Sequence, residues 1–294
     1  MTDPRSPVAL GVAAPRPSAD GIVAFLVLTF AVTWTCFITA AVLSGGLPSV
    51  AAPGSGLRAL ILLGTVTPSL IALALIGRAE GAAGIHALLR RILQWRVSAR
   101  YYVFAVGYMA AVKLTAAVAH RFVTGAWPRF WEEPWYLMAA AIVISTWVQA
   151  GEEIGWRGYA LPRLAARWGL ASASIVLGVI WAVWHLPLFY LHGADTYGQS
   201  FAAYLLQVVA ISIAMAWLYW RTHGSLLLVM LMHASINNTK GIVPTTPRLP
   251  ADPLSPGASL TAWLGVAVLW AVAASILVRM HQAGLTRPVP RDRI

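Results

Sequence analysis

The sequence predicts an all-α, polytopic membrane protein with about eight transmembrane helices. The chain has 294 residues, of which 59% are hydrophobic and only 11% are charged, whereas roughly a quarter of the residues of a soluble domain are charged. Apolar runs of about 20 residues, the length that crosses the hydrocarbon core, recur along nearly the whole chain. The single cysteine, Cys36, excludes an internal disulfide framework.

The predicted spans follow one another along the chain and begin and end where the apolar runs do. They are residues 22–43, 57–77, 101–120, 136–161, 171–191, 200–220, 225–239 and 259–279. The seventh is the shortest, so it is the least secure as a full crossing. Residues 84–95, GIHALLRRILQW, have one apolar and one basic face, which predicts a helix on the cytoplasmic membrane surface.

One transmembrane domain, residues 21–280, is predicted, with its motif core at about 136–240 and no internal repeat. Residues 1–20 are predicted to be a disordered cytoplasmic tail, and residues 281–294 a basic cytoplasmic tail.

The distribution of basic residues predicts the orientation. If the N-terminus is cytoplasmic, the cytoplasmic segments carry Arg5, Arg16, Arg78, Arg90, Arg91, Arg96, Arg100, Arg163, Arg167, Arg221, Arg279, Arg287, Arg291 and Arg293. The outer loops carry only Arg58, Arg121, Arg129, Lys240 and Arg248. Both termini are therefore expected in the cytoplasm, in the plasma membrane of a prokaryote, and the net charge of +11 needs no nucleic-acid partner.

Two adjacent acids, Glu152 and Glu153, are the only ones at or near membrane depth, in AGEEIGWRGYALPRL at residues 150–164. Placing a charge at this depth costs several kcal/mol of free energy. A charged residue there is therefore expected to be paired with an opposite charge, hydrated, or part of a functional site. Glu153 and Arg157 are four residues apart on one helix, which predicts a structural ion pair. Glu152 points about 100° away around the helix and needs a partner from another helix.

Later spans supply further polar groups: His185 in one, and His233 with Asn237 one turn later in another. A carboxylate, two imidazoles and a carboxamide on three helices are predicted to face one cavity between them. Glu152 and His185 would hold and deprotonate a water molecule, and His233 and Asn237 would stabilise an oxyanion. Taken singly, each histidine is more often a hydrogen-bonded core residue and Asn237 an interhelical contact. Lys113, in the third span, falls outside these motifs and is assigned no role.

These residues resemble a known family. Glu152, Glu153 and Arg157 match an E-E-x-x-x-R motif, His185 stands at the end of an F-x-x-x-H motif, and His233 and Asn237 match H-x-x-x-N. The sequence resembles the CPBP family of intramembrane proteases, which includes the type II CAAX prenyl proteases and the bacteriocin-immunity (ABI) proteins. Trp181 replaces the usual phenylalanine of the second motif.

The resemblance implies an endopeptidase in which Glu152 and His185 activate water, while His233 and Asn237 form the oxyanion site. Its expected substrate is a membrane-associated peptide or lipidated protein, prenylated at a CAAX-type terminus or otherwise apolar.

Several alternatives stay open beside this interpretation. Glu152, His185 and His233 would also make an acceptable three-ligand zinc site with an open water position, although a metal-free hydrolase is the expected form. A zincin is excluded because no H-E-x-x-H motif occurs. A proton-coupled transporter, in which the same residues relay protons, and a non-catalytic immunity or scaffold protein are the rival functions.

Overall fold

The computed structural model describes residues 19–44, 55–132, 134–244, 253–254 and 257–288, and these residues form helices and connecting segments without β-strands. The helices are α1 (Ala19–Leu43), α2 (Ser55–Arg90), α3 (Ala99–Thr124), α4 (Trp135–Val148), α5 (Ala150–Glu153), α6 (Leu161–Trp184), α7 (Phe201–Arg221), α8 (Leu226–Thr239) and α9 (Leu260–Gln282). A π-helical segment, Ile154–Ala160, joins α5 to α6. The chain is an all-α polytopic membrane protein, as the apolar runs predict.

The described residues contain six segments that are long and apolar enough to cross a membrane, so the predicted count of eight is not confirmed. One of them, Trp135–Tyr190, is 56 residues long and contains the fourth and fifth predicted spans. Gly169 separates these two spans with a φ of 77°, a left-handed conformation that favours glycine. The predicted seventh span is α8, whose 14 residues reach only about 21 Å at the α-helical rise.

The predicted second span and the first part of the predicted surface helix form one kinked helix, α2, and a 3-10 helix follows at Arg91–Leu93. The kink lies at Gly81, which has a φ of 65°. Pro68 stands inside the helix and lacks the N–H that would bond the carbonyl of Gly64 four residues earlier. The hydroxyl of Thr33 in α1 donates to this carbonyl over 2.9 Å, so the packing of α1 satisfies the acceptor that the proline leaves over.

The contact between α2 and the segment carrying the two glutamates depends on small residues. A Cβ on Gly155 would lie 2.6 Å from the carbonyl oxygen of Pro68, so only glycine permits this approach. The hydroxyl of Ser69 donates to the carbonyl oxygen of Ala150 over 2.6 Å and accepts from the N–H of Gly155 over 3.2 Å. Both bonds fix the position of α5 against α2.

The short helix α8 lies in the interior and packs against α3, α4 and α7. Most of its residues from Leu226 to Ile236 are buried, and a helix that is buried all round suits the core of a bundle. The last described residues also belong to the bundle: Leu285 is buried, and its carbonyl accepts from the N–H of Ala171 over 3.3 Å. The predicted basic tail thus contributes Leu285 to the packing. Residues 1–18 and 289–294 of the two predicted tails lie outside the described residues.

Candidate active site

Glu153 lies at the centre of a buried charged cluster. Its Oε1 accepts from Nη1 of Arg157 over 2.9 Å and from Nδ1 of His233 over 2.7 Å. The side chains of Glu153 and Arg157 are fully buried, and His233 is 3% exposed. The carboxylate expected to serve a structural pair within one helix therefore also holds a predicted catalytic histidine from α8.

The backbone that carries these groups is unusual. Arg157 lies in the π-helical segment that follows α5, and such segments are rare and frequent at functional sites. The guanidinium carbon of Arg157 stands 4.1 Å from the centre of the Trp181 ring in α6. This cation–π contact ties the charged cluster to α6 as well as to α8.

Glu152 is bound by the indole of Trp181. Nε1 of Trp181 donates to Oε2 of Glu152 over 2.9 Å, and Glu152 is 6% exposed. The partner lies on another helix, as the sequence predicts, but it is a tryptophan rather than a histidine. The sequence contains one indication of this contact: tryptophan has an N–H donor that the usual phenylalanine of this motif lacks.

His185 follows the last residue of α6, one turn after Trp181. Its Nδ1 donates to the carbonyl oxygen of Trp181 over 2.8 Å, which satisfies one of the carbonyls left over at the end of a helix. Because a carbonyl only accepts, Nδ1 carries the hydrogen, and Nε2 of the neutral ring is an acceptor. The ring packs edge-on against Trp184 and Tyr204, with centroids 4.6 Å and 5.7 Å away.

Trp181 connects the predicted residues. It contacts Glu152, Arg157 and His185 as described, and its ring meets that of His233 at a centroid distance of 5.2 Å. In the sequence, Trp181 stands out only as the replacement for the usual phenylalanine of its motif. Its indole and its backbone carbonyl in fact position one carboxylate and one imidazole of the predicted site.

Asn237 is not part of the hydrogen-bonded cluster. It lies one turn after His233 in α8, and its side chain is exposed. The next residue, Asn238, instead donates through Nδ2 to the hydroxyl of Ser145 over 2.8 Å and to the carbonyl of Ala234 over 2.8 Å. Asn238 therefore links α8 to α4, while Asn237 faces outward.

Several buried polar atoms around Glu153 have no hydrogen-bond partner among the described residues. They are Oε2 of Glu153, Nε and Nη2 of Arg157, and the indole nitrogens of Trp156 and Trp184. Buried polar groups in folded proteins are nearly always hydrogen-bonded, to protein or to water. Three of these atoms belong to Glu153 and Arg157, so the bonds within the described residues do not use all the donors and acceptors of the ion pair.

The residues of the zinc hypothesis do not form a ligand set. In the part of the chain that the structure describes, no three His, Cys, Asp or Glu side chains are grouped so that they could hold a metal ion. Glu152 is bound to Trp181, His185 to the Trp181 carbonyl and His233 to Glu153. As the structure places them, these three side chains do not form a zinc site.

Fold and site define a class: polytopic helical membrane proteins with a buried cluster of glutamate, arginine and histidine inside the bundle. Residues 130–239 match the family model of the Rce1-like type II CAAX prenyl endopeptidases. Over 101 residues the chain is 31% identical to CAAX prenyl protease 2 of Methanococcus maripaludis, an alignment that covers 32% of this chain and 37% of the relative. Both matches support membership of the CPBP family, and the family-model match contains all three motifs.

Proposed function

We propose that the protein is an intramembrane endopeptidase that hydrolyses peptide bonds with a water molecule activated by Glu152. The position of this carboxylate is the observation that supports the proposal. It is buried, and the hydrogen bond from Trp181 uses Oε2, which leaves Oε1 to accept a hydrogen bond from water. A buried carboxylate held by a fixed donor is suited to act as a general base.

His185 is proposed to orient the same water. Its Nδ1–H is bonded to the Trp181 carbonyl, so Nε2 is the ring atom that can accept a hydrogen bond from water. The water oxygen attacks the peptide carbonyl carbon while Glu152 takes the proton. The C–N bond then breaks as the same proton passes to the leaving amine, which regenerates the carboxylate.

His233 and Asn237 are proposed to stabilise the oxyanion that forms during this attack. The bond from Nδ1 to Glu153 fixes the ring of His233. In this proposal the ring is an imidazolium, because only then does Nε2 on its other side carry a hydrogen that it can donate to the oxyanion. Asn237 is exposed one turn further along α8, so in this proposal a bound peptide covers it. Glu153 acts through His233 and is a positioning residue.

The substrate class is proposed from the relatives and the setting. The part of the chain that carries the site matches a family model of CAAX prenyl endopeptidases, and 101 residues of the chain are 31% identical to a curated CAAX prenyl protease. The described site lies within apolar helices, where a lipidated segment could approach through the bilayer. A membrane protein or peptide with a prenylated CAAX-type terminus is therefore the substrate class to test first.

The test is cleavage of a synthetic prenylated CAAX peptide by the purified chain in lipid vesicles, followed by mass spectrometry of the products. The unprenylated peptide tests the need for the lipid. Glu152→Gln should fold at least as well as the wild type and lose about 100-fold or more of the rate, since a general base typically contributes that much. Glu132→Gln, an exposed glutamate paired with Arg129 over 3.5 Å, is the matched control and should keep full activity.

Equal activity of Glu152→Gln and the wild type would remove the proposed base. Proton-dependent uptake of a solute by vesicles, without peptide cleavage, would favour the transporter. Absence of both activities, with intact folding, would favour the non-catalytic immunity or scaffold function.

A further inference from the structure

A cavity lies where α7 ends and α3 begins, and its lining shares no residue with the candidate active site. Its volume is about 640 Å³. The lining includes Arg96, Arg100, Arg221 and His223, and none of its residues is acidic. A cavity with three cations and no carboxylate is a candidate site for an anion.

Tyr101 holds two of these cations side by side. Its hydroxyl oxygen accepts from Nη2 of Arg100 over 2.9 Å and from Nε of Arg221 over 3.0 Å. The hydroxyl is a neutral acceptor, so it aligns the two guanidinium groups without neutralising either charge. A guanidinium has five N–H donors, and one bond to Tyr101 leaves the others to contact a ligand.

Among the described residues, no acid is paired with these charges. The sequence has no Asp or Glu between residues 81 and 131, nor between residues 196 and 251. The arginine ion pairs of the described residues join Arg129, Arg157 and Arg163 to glutamates, and none of them involves an arginine of the cavity. Two like charges held close together repel each other, so an anion between them would stabilise the arrangement.

The cavity is at the level expected for lipid head groups. Arg221 is the last residue of the apolar helix α7, and α3 begins at Ala99. The guanidinium carbon of Arg221 lies 5.5 Å from the ring centres of both Trp217 and Trp220. Tryptophan is enriched at the membrane–water interface, and the arginine distribution predicts that this end faces the cytoplasm, where anionic lipids attract basic residues.

We propose that this cavity binds the phosphate group of an anionic phospholipid from the surrounding membrane. Guanidinium groups bind phosphate oxygens through two parallel hydrogen bonds, and the aligned pair at Tyr101 offers such donors from two sides. A soluble phosphate has the same chemistry, but the interfacial position favours a lipid. The proposal is independent of the peptidase function.

Native mass spectrometry of the detergent-solubilised full chain, titrated with phosphatidylglycerol, tests the proposal. The double variant Arg100→Gln/Arg221→Gln should bind this lipid about 30-fold more weakly, since each basic residue near an anionic lipid contributes about fivefold. The matched control is Arg78→Gln/Arg279→Gln, which removes two exposed arginines predicted to lie on the same side of the membrane. It should bind as tightly as the wild type, and melting temperatures without added lipid check that both variants fold.

A third variant, Tyr101→Phe, keeps every charge and removes the oxygen that aligns the two arginines, so we expect a several-fold loss of affinity. Equal losses in the double variant and its control would overturn the proposal, because they would show a general effect of charge. Equal binding of phosphatidylcholine and phosphatidylglycerol would also overturn it. Displacement of the lipid by millimolar inorganic phosphate would assign the cavity to a soluble anion instead.

Discussion

At the scale of residues, Glu152 and Glu153 are neighbours in sequence whose side chains contact different helices. Glu152 is bound by Trp181 of α6, and Glu153 by Arg157 and by His233 of α8. One turn of helix places Arg157 beside Glu153, so the sequence suffices to predict that pair. The bond to His233 depends on how α8 packs against α5, which no local pattern specifies.

The two contacts of Glu153 predict separable effects of mutation. Glu153→Gln leaves Arg157 buried without its counter-ion, and we expect a loss of about 3–5 kcal/mol in the free energy of unfolding. Glu153→Gln/Arg157→Met removes both charges and should recover most of the melting temperature, because no buried charge is left without its counter-ion. Its peptidase rate should stay low, since His233 still lacks its carboxylate.

Thermal unfolding and peptide cleavage, measured for both variants in the same detergent, check this prediction. A double variant as active as the wild type would show that Glu153 serves only the ion pair. A Glu153→Gln variant that folds normally but is inactive, beside an active Glu152→Gln, would transfer the role of base from Glu152 to Glu153.

At the scale of elements, the apolar runs predict the outer helices well. The predicted spans at residues 22–43 and 101–120 correspond to Ala19–Leu43 and Ala99–Thr124, because each run ends where polar residues begin. The π-helical segment at Ile154–Ala160 has no such sequence signal. It depends on close packing against α2, as does the position of both glutamates.

The glycine contact between α2 and this segment can be tested directly. Gly155→Ala places a Cβ 2.6 Å from backbone atoms of Pro68, which cannot move as a side chain can. We expect a loss of about 1–3 kcal/mol in stability, typical of overpacking, and a lower peptidase rate because α5 shifts. Gly107→Ala in α3 is the control: its Cβ would meet no atom within 4 Å, so its melting temperature should match or exceed that of the wild type. A Gly155→Ala variant as stable and active as this control would contradict the tight contact.

At the scale of the whole molecule, the metal requirement follows from how the bundle distributes its polar groups. No three His, Cys, Asp or Glu side chains of the described residues are grouped so that they could hold a metal ion, so we expect a metal-free enzyme. Protein purified without a histidine tag should contain far less than one equivalent of zinc, and a strong chelator should leave peptide cleavage unchanged. Stoichiometric zinc in elemental analysis, with activity lost to the chelator and restored by metal, would contradict this prediction.

The orientation of the bundle in the membrane is predicted from the arginine distribution. Reporter domains fused after Arg96 or Arg167 should score as cytoplasmic, because these loops are rich in arginine. Fusions near Asp195 or near residue 252 should score as external. The structure makes the fusion after Arg167 informative, because α6 is kinked at Gly169, between the fourth and fifth predicted spans. An external signal after Arg96 or Arg167 would invert the bundle, and with it the side of the membrane from which the proposed lipid cavity takes its ligand.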